Sequence, residues 1–428
     1  MKNTIFAPIT AIGGSITGVR ISGERALEIL NFFAKKDTKV TPKTVKNIDI
    51  FDGESLLDNV VAIYFKTPNS FTGEDVVEIF LHSSMYVVRR VLEILGNQKN
   101  CRYATNGEFS KRAFLNEKMD IVQTEGVSNL INSITQEQHK LATMMLNGEV
   151  SGFYENLKQR LVKILSIMEI NIDFSDEEIP QRDSLFIRQE IQQISSIIKE
   201  KIQSKNAVDR IFNGVCVGIV GSPNVGKSSM LNFLAKSDIA IVFDKPGTTR
   251  DVVTVDLKIN DKLVRFFDTA GIREAEDEIE KIGIQKSLQT HIKVDFSIVM
   301  TSSDEEKNVV NIREDDILVV NKIDKKPIKT GLGISIKTGN GMDNFMTILS
   351  EKIEKFTSYN SSPICMNDRH FSYLKNIVEI FDNLDFHNGI EIQYEDVRQA
   401  IVSLENITGK IAHDDVLESV FRNFCIGK

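Results

Sequence analysis

Cysteine is scarce and scattered in this chain. The 428 residues hold four: Cys101, Cys216, Cys365 and Cys425. No two form a CxxC pair and no histidine cluster joins them, which argues against zinc and redox-motif sites. Reduced thiols in a cytoplasmic protein fit best. An excess of positive charge is also lacking. Lys and Arg number 52 against 60 Asp and Glu, a formal net charge of −8, so the broad basic footprint of a nucleic-acid binder is absent. If RNA is the substrate, a small patch or a partner protein must hold much of it. Long apolar runs are missing too. No stretch of ~18 uninterrupted apolar residues exists, so no membrane span is expected. Residues 1–14 hold one lysine and a broken apolar run, too short for a signal h-region. There are no internal repeats and no low-complexity tract.

What is present is ordinary globular composition, 41% hydrophobic and 26% charged. At ~100–200 residues per domain the length suggests two to four domains. Residues 1–117 mix apolar runs such as Val60–Phe65 and Val76–Phe80 with two helical patches, Ala26–Phe33 and Val87–Leu95, an α+β pattern. Residues 118–210 turn helical. Phe153, Leu157, Leu161, Ile164, Leu165, Met168 and Ile172 fall at helical spacing, as do Ile187, Ile191, Ile194, Ile198 and Ile202, with Ser184 as a candidate start for the second helix. Bundle packing explains those faces. Residues 211–357 alternate strand and helix signals, including Val215–Val220 and Ile317–Val320, as a doubly wound α/β segment does. Helical periodicity resumes over 358–428. The expected architecture is multidomain: an α+β N-terminal domain, then a helical bundle built from both flanks of an inserted α/β P-loop domain.

The α/β segment carries four motifs in order. Gly221-Ser222-Pro223-Asn224-Val225-Gly226-Lys227-Ser228 matches GxxxxGK[ST] between a strand and a helix. Its glycines let the backbone wrap a phosphate, Lys227 would reach the β and γ phosphates, and the Ser228 hydroxyl would ligate Mg²⁺. Gly247-Thr248-Thr249-Arg250-Asp251 offers a threonine to Mg²⁺ and the γ-phosphate. Asp268-Thr269-Ala270-Gly271 follows the apolar run Val264–Phe267; its aspartate suits the Mg²⁺ shell and Gly271 an N–H to the γ-phosphate. Asn321-Lys322-Ile323-Asp324 follows a strand, and Asp324 can accept two hydrogen bonds from guanine. Adenine lacks those donors, so such a site discriminates by ~10⁴–10⁵. Ser335-Ile336-Lys337 sits where a base-contacting loop is expected. Together these make the chain a guanine-nucleotide-binding GTPase.

Ras-type enzymes place a water-orienting glutamine just after the DxxG motif. Here that position is Ile272, so hydrolysis needs another group. Glu274, Glu276, Asp277, Glu278 and Glu280 are all placed to serve, and position alone does not choose among them.

Longer strings carry a family resemblance. They are Pro68-Asn69-Ser70-Phe71-Thr72-Gly73-Glu74-Asp75, Gly107-Glu108-Phe109-Ser110-Lys111-Arg112-Ala113-Phe114-Leu115-Asn116, Asp173-Phe174 before Asp176-Glu177-Glu178-Ile179, the G motifs, and Cys425-Ile426-Gly427-Lys428. In these the chain resembles the MnmE (TrmE) family of tRNA-modification GTPases nearly end to end. The resemblance implies a cytoplasmic homodimer whose N-terminal domain binds a reduced folate of the formyl-tetrahydrofolate type. With a flavin-dependent MnmG (GidA) partner, such a protein installs a carboxymethylaminomethyl-type group on the wobble uridine of certain tRNAs.

Residue by residue, the resemblance makes Glu280 the acid/base that orients water, with Arg273 in support. It places K⁺ on Asn224, Phe243, Lys245 and Thr248, and Mg²⁺ on Ser228 and Thr249. It adds Val225, Gly226, Ser229, Phe243 and Thr248 to the nucleotide site. Folate-contacting positions correspond to Arg20, Glu78, Lys118 and Lys428; cations suit the glutamate tail and a carboxylate suits the pterin N–H donors. Cys425 becomes a reactive or site-lining thiol. Although it stands fourth from the end, the final lysine is not a prenylation signal. The chain departs from the family at Pro8–Ser15, where a proline- and glycine-rich loop is usual, and at His82-Ser83-Ser84, where His-Gly-Gly is usual. Phe243 and Lys245 depart as well. The competing reading is a ribosome-assembly GTPase. Residues 359–428 argue against it, with six Lys and Arg against eleven Asp and Glu and no GxxG clamp. A purely regulatory switch is the third reading.

Overall fold

The computed structural model describes residues 3–173, 181–222, 224–236, 254–268, 294–302, 312–328, 331–386, 389–410, 414–422, 424 and 426–427. These divide into two compact units, one of residues 1–128, 145–158 and 404–428, the other of residues 129–144 and 159–403.

The first unit is built on a six-stranded sheet. Its strands are β1 (Thr4–Pro8), β2 (Ile16–Ser22), β3 (Val45–Asp52), β4 (Ser55–Phe65), β5 (Val76–His82) and β6 (Cys101–Tyr103), in spatial order β3-β4-β5-β2-β1-β6. All neighbours are antiparallel except β1 and β6. Alternation decides which face each side chain takes. Val77, Ile79 and Leu81 of β5 join Val60, Ala62 and Tyr64 of β4 in one core. Helices α1 (Ala26–Ala34) and α2 (Met85–Gly96) cover that face through Ile29, Leu30 and Phe33, and through Val88, Val91, Leu92 and Leu95. The latter spacing is that of an amphipathic helix. The opposite face presents Ile5 and Ala7 beneath Phe71, Ala104 and Phe109. Helix α3 (Glu108–Leu115) and the 66–75 connection lie on this side.

Further helices are α4 (Ile121–Asn132), α5 (Gln136–Leu146), α6 (Glu149–Asp173), α7 (Gln181–Gln203) and α8 (Lys205–Asn213). The expected apolar stripe of α6 is buried at Leu157, Leu161, Ile164 and Met168. Phe153, Leu165 and Ile172 are only half-buried, and Tyr154, left out of the expected stripe although it stands three residues before Leu157, is fully buried. Helix α7 buries Ile187, Ile191, Ile194 and Ile198. Its described part runs from Gln181, ahead of the expected start at Ser184.

The second unit holds the α/β sheet: β7 (Val215–Gly221), β8 (Thr254–Ile259), β9 (Lys262–Asp268), β10 (Phe296–Thr301), β11 (Ile317–Val320) and β12 (Leu332–Gly333). The order β12-β11-β10-β7-β9-β8 is parallel throughout except for the β8–β9 hairpin. Every residue of β10 is buried, as expected for a central parallel strand covered on both faces. Helices α9 (Lys227–Lys236) and α10 (Met342–Thr357) contribute Met230, Leu231 and Leu234, and Phe345, Leu349 and Ile353, to this core. Helices α11 (Asp368–Asn383), α12 (Ile390–Thr408) and α13 (Asp414–Arg422) follow.

Candidate functional sites

The first site forms where β7 ends and α9 begins. The chain leaves the sheet at Gly221, whose φ is +150°. A Cβ there would run into the carbonyl oxygen of Met300 on the neighbouring β10. Gly226 has φ +107°, and a Cβ on it would lie 2.5 Å from Asn321 Nδ2. Both positions therefore require glycine for conformation and for space. Asn224 adopts φ +63°, a left-handed geometry that asparagine tolerates better than most residues.

The loop is tied to the segment after β11. Asn321 is buried, donates from Nδ2 to the Val225 carbonyl at 2.7 Å, and accepts from the Ile336 N–H at 3.3 Å. Lys322 Nζ donates to the Asn224 carbonyl at 2.5 Å. Lys227, 6% exposed, donates from Nζ to the carbonyls of Gly221 at 2.8 Å and Ser222 at 3.0 Å. Ser228 and Ser229 are exposed on the first turn of α9. Asp324 is exposed and its Oδ1 accepts from the fully buried Ser335 hydroxyl at 2.7 Å. That bond holds the Asp324 carboxyl below the usual carboxylate range. Ile336 is half-buried and Lys337 exposed. One loop is thus cross-linked to the Asn321–Asp324 and Ser335–Lys337 segments, leaving exposed a hydroxyl pair, a carboxylate and a helix N-terminus suited to anions. Asn321 and Lys322 were expected only as members of the guanine-nucleotide motif; their bonds to Val225 and Asn224 went unforeseen, because they join residues about a hundred positions apart.

Asp268 closes β9 and pairs with Ile219 of β7, two residues before the loop. Its side chain lies outside what is described. So do Phe243, Lys245, Thr248, Thr249, Thr269, Ala270, Gly271, Arg273 and Glu280, with the other acidic candidates Glu274, Glu276, Asp277 and Glu278. Among the described residues no group of three or more His, Cys, Asp or Glu side chains is placed to hold a metal ion.

The second site lies in the first unit, on the sheet face away from α1 and α2. Arg20 on β2 and Glu78 on β5 are register partners. Arg20 Nε donates to Glu78 Oε1 at 2.8 Å, and the two side chains are only 15% and 14% exposed. The guanidinium carbon stands 4.9 Å from the Phe71 ring centroid and 5.5 Å from that of Phe109. Such contacts contribute roughly 0.5–2 kcal/mol each.

Phe71 and Phe109 come from the two long sequence strings, and the fold joins those strings elsewhere too. Arg112 donates to Glu74 at 2.8 Å and to Glu108 at 3.1 Å. Asn116 Nδ2 donates to the Thr72 carbonyl at 2.7 Å. Glu74 Oε2 also accepts from Ser22 on β2. Burial alone would push the Glu108 carboxyl up, but hydrogen bonds from Arg102 and the Thr105 N–H, with the charge of Arg112, bring it down to about 2. Lys118 is exposed, and its stem runs beside Gly73, where a Cβ would lie 3.3 Å from Lys118 Cγ. The end of the chain returns to the same unit. Gly427, buried with φ +98°, abuts the Pro8 carbonyl so closely that no Cβ fits. Gly107 is packed in a similar way: a Cβ on it would lie 2.9 Å from the Phe421 carbonyl oxygen. Cys425 and Lys428 lie outside the described residues.

Comparison with known proteins matches two family models, the GTP-binding protein TrmE N-terminus over residues 4–118 and the MnmE helical domain over residues 121–425. The chain is 38% identical over 442 residues to the tRNA modification GTPase MnmE of Wolbachia sp. subsp. Drosophila simulans, covering 100% of this chain and 99% of that one. The chain belongs to the MnmE family of tRNA modification GTPases. The Rickettsia prowazekii MnmE is 36% identical over 443 residues, with 99% of this chain and 100% of that one covered. Among solved structures, the G domain of the T. maritima FeoB iron transporter matches 34% of the chain at 22% identity and a TM-score of 0.25. Membership in the MnmE family makes this chain an enzyme of the GTPase class. Among the described residues no helix is long and apolar enough to cross a membrane.

Proposed function

We propose that this MnmE-family chain is a K⁺-stimulated GTPase that works with an MnmG-type flavoprotein to install a carboxymethylaminomethyl-type group on the wobble uridine of certain tRNAs. The observation that supports the GTPase half is the bonding of the Gly221–Ser228 loop to Asn321 and Lys322. That bonding sets a phosphate cradle and a guanine-reading carboxylate in one frame. In this reading the domains are 1–117, 118–210 joined with 358–428, and 211–357, and the protein acts as a cytoplasmic homodimer.

Within the nucleotide site Asp324, held by Ser335, accepts from the guanine ring, while the loop amides and Lys227 bind the phosphates. Lys227, an ammonium with three donors, also holds the Gly221 and Ser222 carbonyls. The hard oxygen donors Ser228 and Thr249 suit Mg²⁺, which supplies charge neutralisation when bound. Asn224, with Phe243, Lys245 and Thr248, is the proposed K⁺ site, of which the described part is an exposed asparagine next to the cradle. Glu280 orients the attacking water, supported by Arg273. Thr249 and Gly271 read the γ-phosphate.

The half-buried Arg20–Glu78 pair, its guanidinium against the Phe71 and Phe109 rings, suits a flat heteroaromatic ligand that carries carboxylates, as a reduced folate of the formyl-tetrahydrofolate type does. Lys118 and Lys428 would take the glutamate tail. The test has two arms. Phosphate release should be faster in K⁺ than in Na⁺ at equal ionic strength, since a site held by Asn224, Phe243, Lys245 and Thr248 would supply positive charge only with an ion of the right size. Mass spectrometry of tRNA nucleosides from a strain lacking the gene should show the wobble modification missing, and restored by the intact chain. Equal rates in the two salts remove the K⁺ site; an unchanged nucleoside profile removes the modification role.

A further inference from the structure

The connection between β1 and β2 is held by a residue from outside it. Residues 10–16 are all exposed, and a segment with so little burial would ordinarily open at low cost. Four hydrogen bonds oppose that. The Ile9 N–H donates to the Gly18 carbonyl at 2.8 Å, and the Gly18 N–H donates to Thr10 Oγ1 at 3.0 Å. The Gly13 N–H donates to Ser83 Oγ at 3.1 Å, and the Ser83 N–H donates to the Ser15 carbonyl at 3.1 Å. Ser83 Oγ also bonds Thr17 Oγ1, on a fully buried residue, at 2.6 Å. Ser83 stands one residue past β5, the strand that carries Glu78.

What the connection positions is legible from the register. Gly18 pairs with Phe80 as Arg20 pairs with Glu78. Two-residue periodicity puts both pairs on one face, side by side. A Cβ on Gly18 would meet Ile9 Cγ1 at 3.1 Å and Phe80 Cε1 at 3.3 Å. Ile9 therefore lies over Gly18 and beside Phe80, next to the Arg20–Glu78 pair. The Pro8–Ser15 and His82-Ser83-Ser84 stretches are thus bonded to each other.

We infer that Ser83 is a positioning residue: its hydroxyl clamps the 9–15 connection onto β2, so that Ile9 and Phe80 form an apolar wall beside Arg20 and Glu78 for one face of a flat heteroaromatic ring. Ser83 itself does not touch the ligand. The inference rests on reading Arg20–Glu78 as the reduced-folate site, and its test separates the two. Full-length Ser83→Ala, Ser83→Thr and Ile9→Ala are compared with the parent chain by calorimetry with formyl-tetrahydrofolate and by amide exchange at Gly13. Ser83→Ala should speed exchange at Gly13 and weaken binding roughly three- to tenfold, the worth of one hydrogen bond. Ser83→Thr keeps the hydroxyl and should restore both. Ile9→Ala should weaken binding with Gly13 still protected. Parental affinity in Ser83→Ala, or unchanged Gly13 exchange, overturns the inference. If the parent chain binds no folate while Ser83→Ala still speeds exchange at Gly13, the clamp stands and the folate reading falls.

Discussion

At the scale of single residues, the nucleotide site depends on groups that have no freedom to be otherwise. Gly226 cannot carry a Cβ because Asn321 occupies the space, and Asn321 is there because it donates to Val225. Asp324 differs: it is exposed, and in the proposed function its identity matters for what it accepts. Ser335 fixes its rotamer by donating to one carboxylate oxygen. Asp324→Asn replaces an acceptor pair with one acceptor and one donor, so guanine's two donors lose their match and xanthine gains one. GTP affinity should fall by at least ~10²-fold, well inside the discrimination such a site can reach, and xanthosine triphosphate should take its place. Competitive nucleotide titration of the variant measures this; GTP binding at the parental level would show that base recognition lies elsewhere.

Among elements, α3 is fastened by charge as much as by packing. Glu108, Arg112 and Glu74 link the helix to the 66–75 connection and, through Ser22, to β2. Glu108 ionises far more readily folded, at about 2, than at its ordinary value of 4.5. A depressed carboxyl stabilises the fold fully above its unfolded pKa and loses that contribution as pH falls toward its folded pKa. The window here runs from about pH 5 down to about pH 2, and linkage puts the contribution on the order of 3 kcal/mol. Amide exchange on α3 should therefore lose protection across that window in the parent chain. Glu108→Gln should be less protected at pH 7 and nearly flat on acidification. A parent and variant that lose protection in parallel would show that another carboxylate carries the acid response.

The whole molecule poses a question of coupling. In the proposed function, no described residue of the nucleotide site supplies chemistry for carbon transfer to a uridine, so hydrolysis acts through conformation, and a nucleotide shifts such an equilibrium only by its differential affinity for the two states. Helix α8 is a physical route within the second unit. Arg210 on it bonds Asp295 at 2.7 Å, Asp295 accepts from the Cys216 N–H of β7 at 2.9 Å, and Lys205 at the other end bonds Asp368 of α11 at 2.5 Å. The strand that launches the phosphate loop is thereby tied to the helices. Cys425 lies far along the chain from the nucleotide motifs. Cys425→Ser should leave K⁺-stimulated hydrolysis nearly intact and strongly reduce tRNA modification. Glu280→Ala should keep nucleotide affinity, slow turnover by ~10²–10⁴, and lose modification as well. Phosphate release in vitro and wobble-nucleoside content in complemented cells read the pair. Normal modification with Cys425→Ser would reduce that thiol to a packing role.

Local patterns were enough to place the elements and to point to the nucleotide site. The strands at Val60–Phe65 and Val76–Phe80 and the helices at Ala26–Phe33 and Val87–Leu95 follow from period and turn residues. The phosphate loop follows from a spacing that only a few neighbouring residues must satisfy. Contacts between distant positions were not legible in this way. That Phe71 and Phe109 flank Arg20, that Asn321 braces Val225, that Gly427 abuts Pro8 and that Ser83 holds Gly13 depend on sheet order and register, which long-range pairing decides. Tyr154, by contrast, was legible: it stands three residues before Leu157 and seven before Leu161, on the same face of α6, and it is fully buried. Propensity and spacing act over a few residues. Which side chains meet is set by how whole faces fit together, and that is decided only when the chain has folded.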